Sequence, residues 1–202
     1  MRGYHHGNLK EALVEAALKL IGQKGVGGFT FVEAAREAGV SPAAPYRHYK
    51  DREQLLADVA RRGFEAFEAA LAKAWNGGAP SPVEALERLG RAYLDFARTE
   101  PAYYAAMFEG GIAADLSPDL RDAGDRAFAV LRKAAEAVVE TVPEKGRPPA
   151  MMVALHMWSL AHGIASLFVR PDDSRRKLPM APADLLEAGM LVYLDGLGIR
   201  RP

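Results

Sequence analysis

The chain of 202 residues contains no cysteine. Disulfides, thiolate nucleophiles and cysteine-ligated zinc therefore have no place in its chemistry. No run of roughly 18 uninterrupted apolar residues appears, the length a membrane-spanning helix needs. The N-terminus, MRGYHHGNLK, lacks the apolar core of a signal peptide. Net charge is missing too: Lys+Arg and Asp+Glu both number 26, so overall charge indicates no anionic partner. No convincing period-two alternation of apolar and polar residues occurs, which leaves strands without support. The expectation is an all-α cytoplasmic protein without a membrane partner, cofactor or metal site.

What is present is helical punctuation. Asn8 with Glu11, Thr30 with Glu33, Asp51 with Gln54 and Ser81 with Glu84 have the form of capping boxes, in which a short polar side chain and a residue three on satisfy orphan N–H groups. Ser41-Pro42, Ser81-Pro82 and Ser117-Pro118 each place a capping hydroxyl before a proline suited to a first helical position. Gly25, Gly39, Gly77-Gly78 and Gly110-Gly111 mark ends. Between these marks the apolar spacing is helical, as in Leu9, Leu13, Ala16, Ala17 and Leu20. Helices are expected near 8–24, 31–38, 42–49, 52–75, 82–98, 100–109, 118–141, 149–169 and 182–197. Three short, close-set helices followed by a long one suggest a first domain over 1–52 and a second over 53–202.

The stretch GVSPAAPYRHYKDREQLL, residues 39–56, concentrates aromatic and cationic side chains at a turn between helices. Gly39 permits a left-handed turn after the helix near 31–38, and Ser41 is placed to cap the next one. Two short helices joined so tightly make a helix-turn-helix, whose second helix enters the major groove. Pro42, Ala43 and Ala44 keep the start of that second helix small enough to approach base edges. Pro45 removes one intrahelical bond, which a first turn tolerates. Tyr46, Arg47 and His48, with Lys50 and Arg52 beyond, supply phosphate-competent donors. Charge is weakly biased the same way: residues 1–62 carry 10 Lys/Arg against 7 Asp/Glu.

At these residues the chain resembles the TetR family of bacterial transcriptional regulators. The resemblance covers roughly residues 5–60, in Gly39-Val40-Ser41, Tyr46-Arg47-His48-Tyr49 and Arg52. More weakly, YHHGNL and the WSLAHGIASL element with Trp158, His162 and Gly163 resemble a subgroup of that family. The resemblance implies a homodimer, usually a repressor, that binds a palindromic operator in double-stranded DNA and releases it when a small effector enters the C-terminal bundle. It implies phosphate contacts from Thr30, Tyr46, His48 and Arg52, with Ser41 and Lys50 beside them, and base readout by Ala43, Ala44 and Arg47. It further implies an effector lining that includes Tyr103, Met107 and Phe108, and Trp158 and His162, four apart on one helical face, are candidates for the same lining. Dimerisation would use the last two long helices as a four-helix bundle. Ala34 and Pro45 depart from the usual pattern, which holds a larger aliphatic residue at the first position and often leucine or valine at the second.

Plainer roles stand beside these. Tyr49 is expected to be largely core and Tyr46 largely surface. Trp158 and His162 fit a packed pair as well as a ligand handle, and Tyr103, Met107 and Phe108 fit an ordinary core. His5-His6 suits a flexible arm better than a metal site, because no carboxylate cluster stands near. A helical enzyme is the other class weighed, but no nucleophile–base pair is evident, and His156 and His162 have no obvious acid partner.

Overall fold

The computed structural model describes residues 9–112, 117–169 and 179–199. Among them every regular element is helical: α1 (Leu9–Lys24), α2 (Phe31–Glu37), α3 (Arg52–Trp75), α4 (Pro82–Thr99), α5 (Pro101–Glu109), α6 (Pro118–Val139), α7 (Ala150–Ile164) and α8 (Pro182–Gly196). The all-α expectation holds. Asn8 and the His5-His6 pair lie outside the described residues.

The caps explain most boundaries. At α2 the box is complete: Thr30 accepts from the Glu33 N–H while Glu33 accepts from the Thr30 N–H. At α3 it is displaced, for Gln54 N–H donates to Asp51 but the Gln54 amide oxygen accepts from Lys50 N–H. Ser81 and Ser117 receive the N–H of Glu84 and of Leu120, opening α4 and α6 at prolines as expected.

One expected helix is not there. In place of 42–49 the chain makes a turn and then a single 3-10 turn, Pro45–Arg47. The cause is the proline. Ala44 does adopt helical angles, φ −62° and ψ −41°, but Pro45 has no N–H to return to Ser41. The bonds that remain are mostly three residues apart, Ala44 to Ser41, Arg47 to Ala44 and His48 to Pro45, with Tyr49 to Pro45 closing the turn. Pro45 is fully buried.

The chain divides into two compact units. The first is Met1–Glu65 with Glu100–Gly124, and the second is Ala66–Thr99 with Asp125–Pro202. This packing boundary does not fall at residue 52. Leu55, Leu56, Val59 and Ala60 of α3 and Ala105 and Ala106 of α5 share one core with Leu13, Val14, Ala17 and Leu20 of α1. In that unit α3 and α5 approach closely at Gly63, where a Cβ would lie 2.8 Å from Met107 Sδ and 3.1 Å from the Tyr103 ring.

The second unit is built on α4, which touches both α7 and α8. Phe67 packs edge-on to Tyr93 at 5.0 Å and against Phe96 at 5.0 Å. After Ile164 the helix widens into a π turn, Ala165–Val169, a distortion common at functional positions. The stretch Ala150–Phe168 has the length and composition of a membrane span, with mean hydropathy 1.4, yet only a third of it is buried within the protein. Its exposed apolar side chains are Met151, Leu155, Trp158 and Leu167, and Val192 of α8 is 76% exposed.

Candidate nucleic-acid interface and effector cleft

In the first unit, α2 and the recognition segment are joined by the expected tight turn. Ala38 N–H returns to Ala34, Gly39 N–H to Arg36, and Val40 N–H to Ala35. Gly39 stands at φ +71°, where a side chain would be strained. Beyond this turn Ser41, Ala43, Tyr46, Arg47, His48 and Lys50 are all exposed, Ala44 is half-buried, and Tyr49 is buried. The expected split between Tyr46 and Tyr49 is therefore observed. Tyr46 is 60% exposed and stands edge-on to Phe31 at 5.1 Å.

Two expected phosphate ligands are already engaged. Thr30 is exposed, but its hydroxyl donates to Glu33 at 3.0 Å and caps α2. Glu33 is also paired with Lys24 at 2.7 Å. The Lys24 bond and the two bonds from Thr30 hold its carboxyl at about 2, below its usual 4.5. Arg52 is half-buried: its guanidinium lies 4.6 Å from the centre of the Phe29 ring and donates to the Val26 carbonyl. It braces the loop before α2 as well as opening α3.

Sequence reasoning missed Asp58. It is buried in α3 and accepts from Tyr49 and Arg61. Its position in the run LLADVA, i+7 from Asp51 in the midst of apolar residues, was the available signal. A carboxylate among apolar neighbours on a core face needs partners.

The five residues expected to line an effector site belong to different compact units. Tyr103, Met107 and Phe108 belong to the first unit, where Phe108 packs on Phe64 at 5.6 Å and on Tyr104 at 4.9 Å. Trp158 and His162 belong to the second. There Trp158 joins Leu86, Leu89, Tyr93, Leu131, Met157 and neighbouring groups around a nearly filled apolar cleft. His162 Nδ1 meets the Tyr93 hydroxyl at 2.9 Å, and its ring lies 6.0 Å from that of Trp158. Ser166 in the π turn stands 3.5 Å from His162 Nε2. Tyr93, which lines the cleft and meets His162 through its hydroxyl, was not singled out from the sequence. A roomier groove lined by Ala70, Lys73, Ala74 and Arg88 lies open to solvent, and Arg88 is spent on the Ala74 and Ala79 carbonyls.

A helix-turn-helix with exposed cationic and aromatic side chains points to a DNA-binding protein, and the second helical unit carries a cleft of its own. Comparison with known proteins agrees. The family described as bacterial regulatory proteins, tetR family, matches residues 13–59, and that described as tetracyclin repressor-like, C-terminal domain, matches residues 86–191. The chain belongs to the TetR family of transcriptional regulators, DNA-binding proteins of the helix-turn-helix type. It is 30% identical over 105 residues to YobS of Bacillus subtilis, an HTH-type transcriptional regulator, covering 50% of this chain and 51% of that one. The chain spans 23% to 51% of the length of the curated relatives it matches. A solved protein of unknown function from Rhodococcus sp. RHA1 superposes with TM-score 0.79 at 27% identity, over 97% of this chain and 98% of the other. AibR, solved in complex with isovaleryl coenzyme A and operator DNA, shares the fold at TM-score 0.69 and 19% identity, over 91% of this chain and 97% of that one.

Proposed function

We propose that the protein is a homodimeric repressor of transcription that binds a palindromic operator and is released by a small, largely hydrophobic effector. The observation that carries the effector reading is the Tyr93–His162 pair, 2.9 Å apart and set beside an otherwise apolar cleft. Apolar walls with a few placed polar groups are what a ligand site needs. An acyl group with a carbonyl or carboxylate end suits both parts of this lining. The complex of AibR with an acyl coenzyme A supports testing that class first.

On DNA, Thr30, Ser41, Tyr46, His48, Lys50 and Arg52 are assigned to phosphates, and Ala43, Ala44 and Arg47 to bases. The recognition segment is a single turn long, so direct base readout is slender and the spacing of two half-sites carries much of the specificity. The half-sites belong to two copies, and the exposed apolar row Met151, Leu155, Leu167 and Val192 supports pairing through α7 and α8.

Release follows from linkage: the effector must prefer a conformation with poorly spaced recognition segments. The cleft is nearly filled, so entry has to move Trp158 or its neighbours. The continuous helix α3 contributes residues to both compact units and is the assigned carrier of that movement. The proposal is tested by capturing sheared genomic DNA from the source organism on purified protein at physiological salt, then adding acyl coenzyme A thioesters and the free acids. An enriched palindrome released by one class supports it. Uniform capture abolished by modest salt overturns it.

A further inference from the structure

Because Pro45 reduces the recognition segment to one turn, that segment cannot hold its own direction through a helical ladder. Its orientation has to come from side chains anchored elsewhere. Two of them are buried, Pro45 and Tyr49. The proline ring is held by apolar packing, which resists withdrawal but has little directionality. Tyr49 is held by a directional bond as well, since its hydroxyl donates to Asp58 Oδ2 at 2.7 Å.

Asp58 is itself fixed from several sides. Arg61 donates to Oδ1 twice, from Nε at 3.1 Å and from Nη2 at 2.7 Å. That leaves Oδ2 for Tyr49, with Lys10 Nζ at 3.5 Å and Arg62 Nε at 3.4 Å from it. Arg62 is gripped in turn by both carboxylate oxygens of Glu11, and Arg61 by Glu65. Lys10 also lies 5.7 Å from the centre of the Tyr49 ring. One buried carboxylate thus gathers α1, α3 and the end of the recognition segment. Burial raises its pKa, but the bonds from Arg61 and Tyr49 and the charges of Lys10 and Arg61 outweigh that and hold the carboxyl below its usual range. An ionised Asp58 accepts a stronger bond from tyrosine than a neutral group would.

We infer that Asp58 is a positioning residue for DNA readout: through the Tyr49 hydroxyl it sets the direction in which Tyr46, Arg47 and His48 project. The inference rests on the helix-turn-helix reading, and Asp58 touches no DNA itself. A phenylalanine at 49 would fill the same volume without fixing that direction, which separates positioning from packing.

The test uses the full chain. Wild type first selects duplexes from a random library. The selected duplex and a scrambled one are then titrated with wild type, Tyr49→Phe and Asp58→Asn, well below the melting temperature of each. The expected result is a loss of about tenfold in the ratio of selected to scrambled affinity for both variants. The scrambled affinity should fall by much less and its salt slope should stay at the wild-type value, because the cationic phosphate donors Lys50 and Arg52 are retained. A Tyr49→Phe variant with the wild-type ratio would overturn the inference, whatever its melting temperature. If Asp58→Asn fails to fold, Tyr49→Phe alone decides. A wild type that enriches no duplex would instead overturn the DNA-binding reading and this inference with it.

Discussion

Tyr46, although 60% exposed, stands edge-on to Phe31 with ring centroids 5.1 Å apart and planes at 87°. An exposed aromatic held by a ring from the preceding helix is presented outward rather than buried, as a phosphate donor requires. Edge-to-face pairs contribute about 0.5–1.5 kcal/mol beyond burial. Phe31→Ala should therefore weaken DNA binding by roughly two- to tenfold. Filter binding at fixed salt checks this, and unchanged affinity would show that Tyr46 needs no prop.

Arg52 carries two loads, and one substitution separates them. Arg52→Ala removes the contact with Phe29 and the bond to Val26, so the melting temperature should fall by several degrees, for a cost of about 1–2 kcal/mol. If the same arginine also neutralises a phosphate, the slope of log affinity against log salt should drop by about 1. A lowered melting point with an unchanged slope would make it structural only. Arg47→Ala, by contrast, should alter which duplexes are preferred.

Glu33 is held at about 2 by Lys24 and Thr30. A carboxyl depressed on folding contributes stability above its ordinary pKa, and that contribution is lost as pH falls through the depressed value. Glu33→Gln should therefore flatten the acid side of the stability profile between about pH 4.5 and 2, leaving neutral pH nearest to the full difference from wild type. Thermal melts at stepped pH measure it. A profile parallel to wild type in that window would remove Glu33 from the account.

If the Tyr93–His162 pair recognises the effector, Tyr93→Phe should leave operator affinity near wild type and raise the effector concentration for half-release by about tenfold. Fluorescence anisotropy with labelled operator reads both quantities. Loss of operator binding without effector would instead give the pair a purely structural role.

Val192 is 76% exposed on α8 and Leu155 is 42% exposed on α7. Placing a charge there should be costly only if a second copy covers it. Val192→Glu and Leu155→Glu are each expected to halve the mass seen by light scattering at micromolar concentration. A wild type that is monomeric on dilution, or variants that remain dimeric, would remove these helices from the interface.

Much of this was legible in the residues because local signals decide it. Caps such as Thr30 with Glu33, the turn at Gly39 and the apolar stripe of α1 depend on neighbours a few positions away, and each forms where the spacing predicts. The exposed Tyr46 and the buried Tyr49 were also expected from the sequence. The absence of strands among the described residues followed from periodicity alone.

Other features depend on residues far apart in the chain. Pro45 announces a disturbed helix start, but not that its burial and missing N–H reduce eight expected helical residues to one turn. Tyr49 and Asp58 are nine positions apart, yet their bond has meaning only because Lys10 of α1 arrives at the same carboxylate. Tyr103, Met107 and Phe108 have the chemistry of a ligand lining, and only packing assigns them to the unit that holds the helix-turn-helix. Tyr93 and His162 become a pair only when α4 and α7 meet. The sequence by itself determined the helices, their caps and the DNA-binding motif, since these rest on short-range hydrogen bonds and periodicity. The tertiary structure alone decided which polar groups share a buried site, because desolvation and hydrogen-bond geometry depend on distances that sequence separation does not encode.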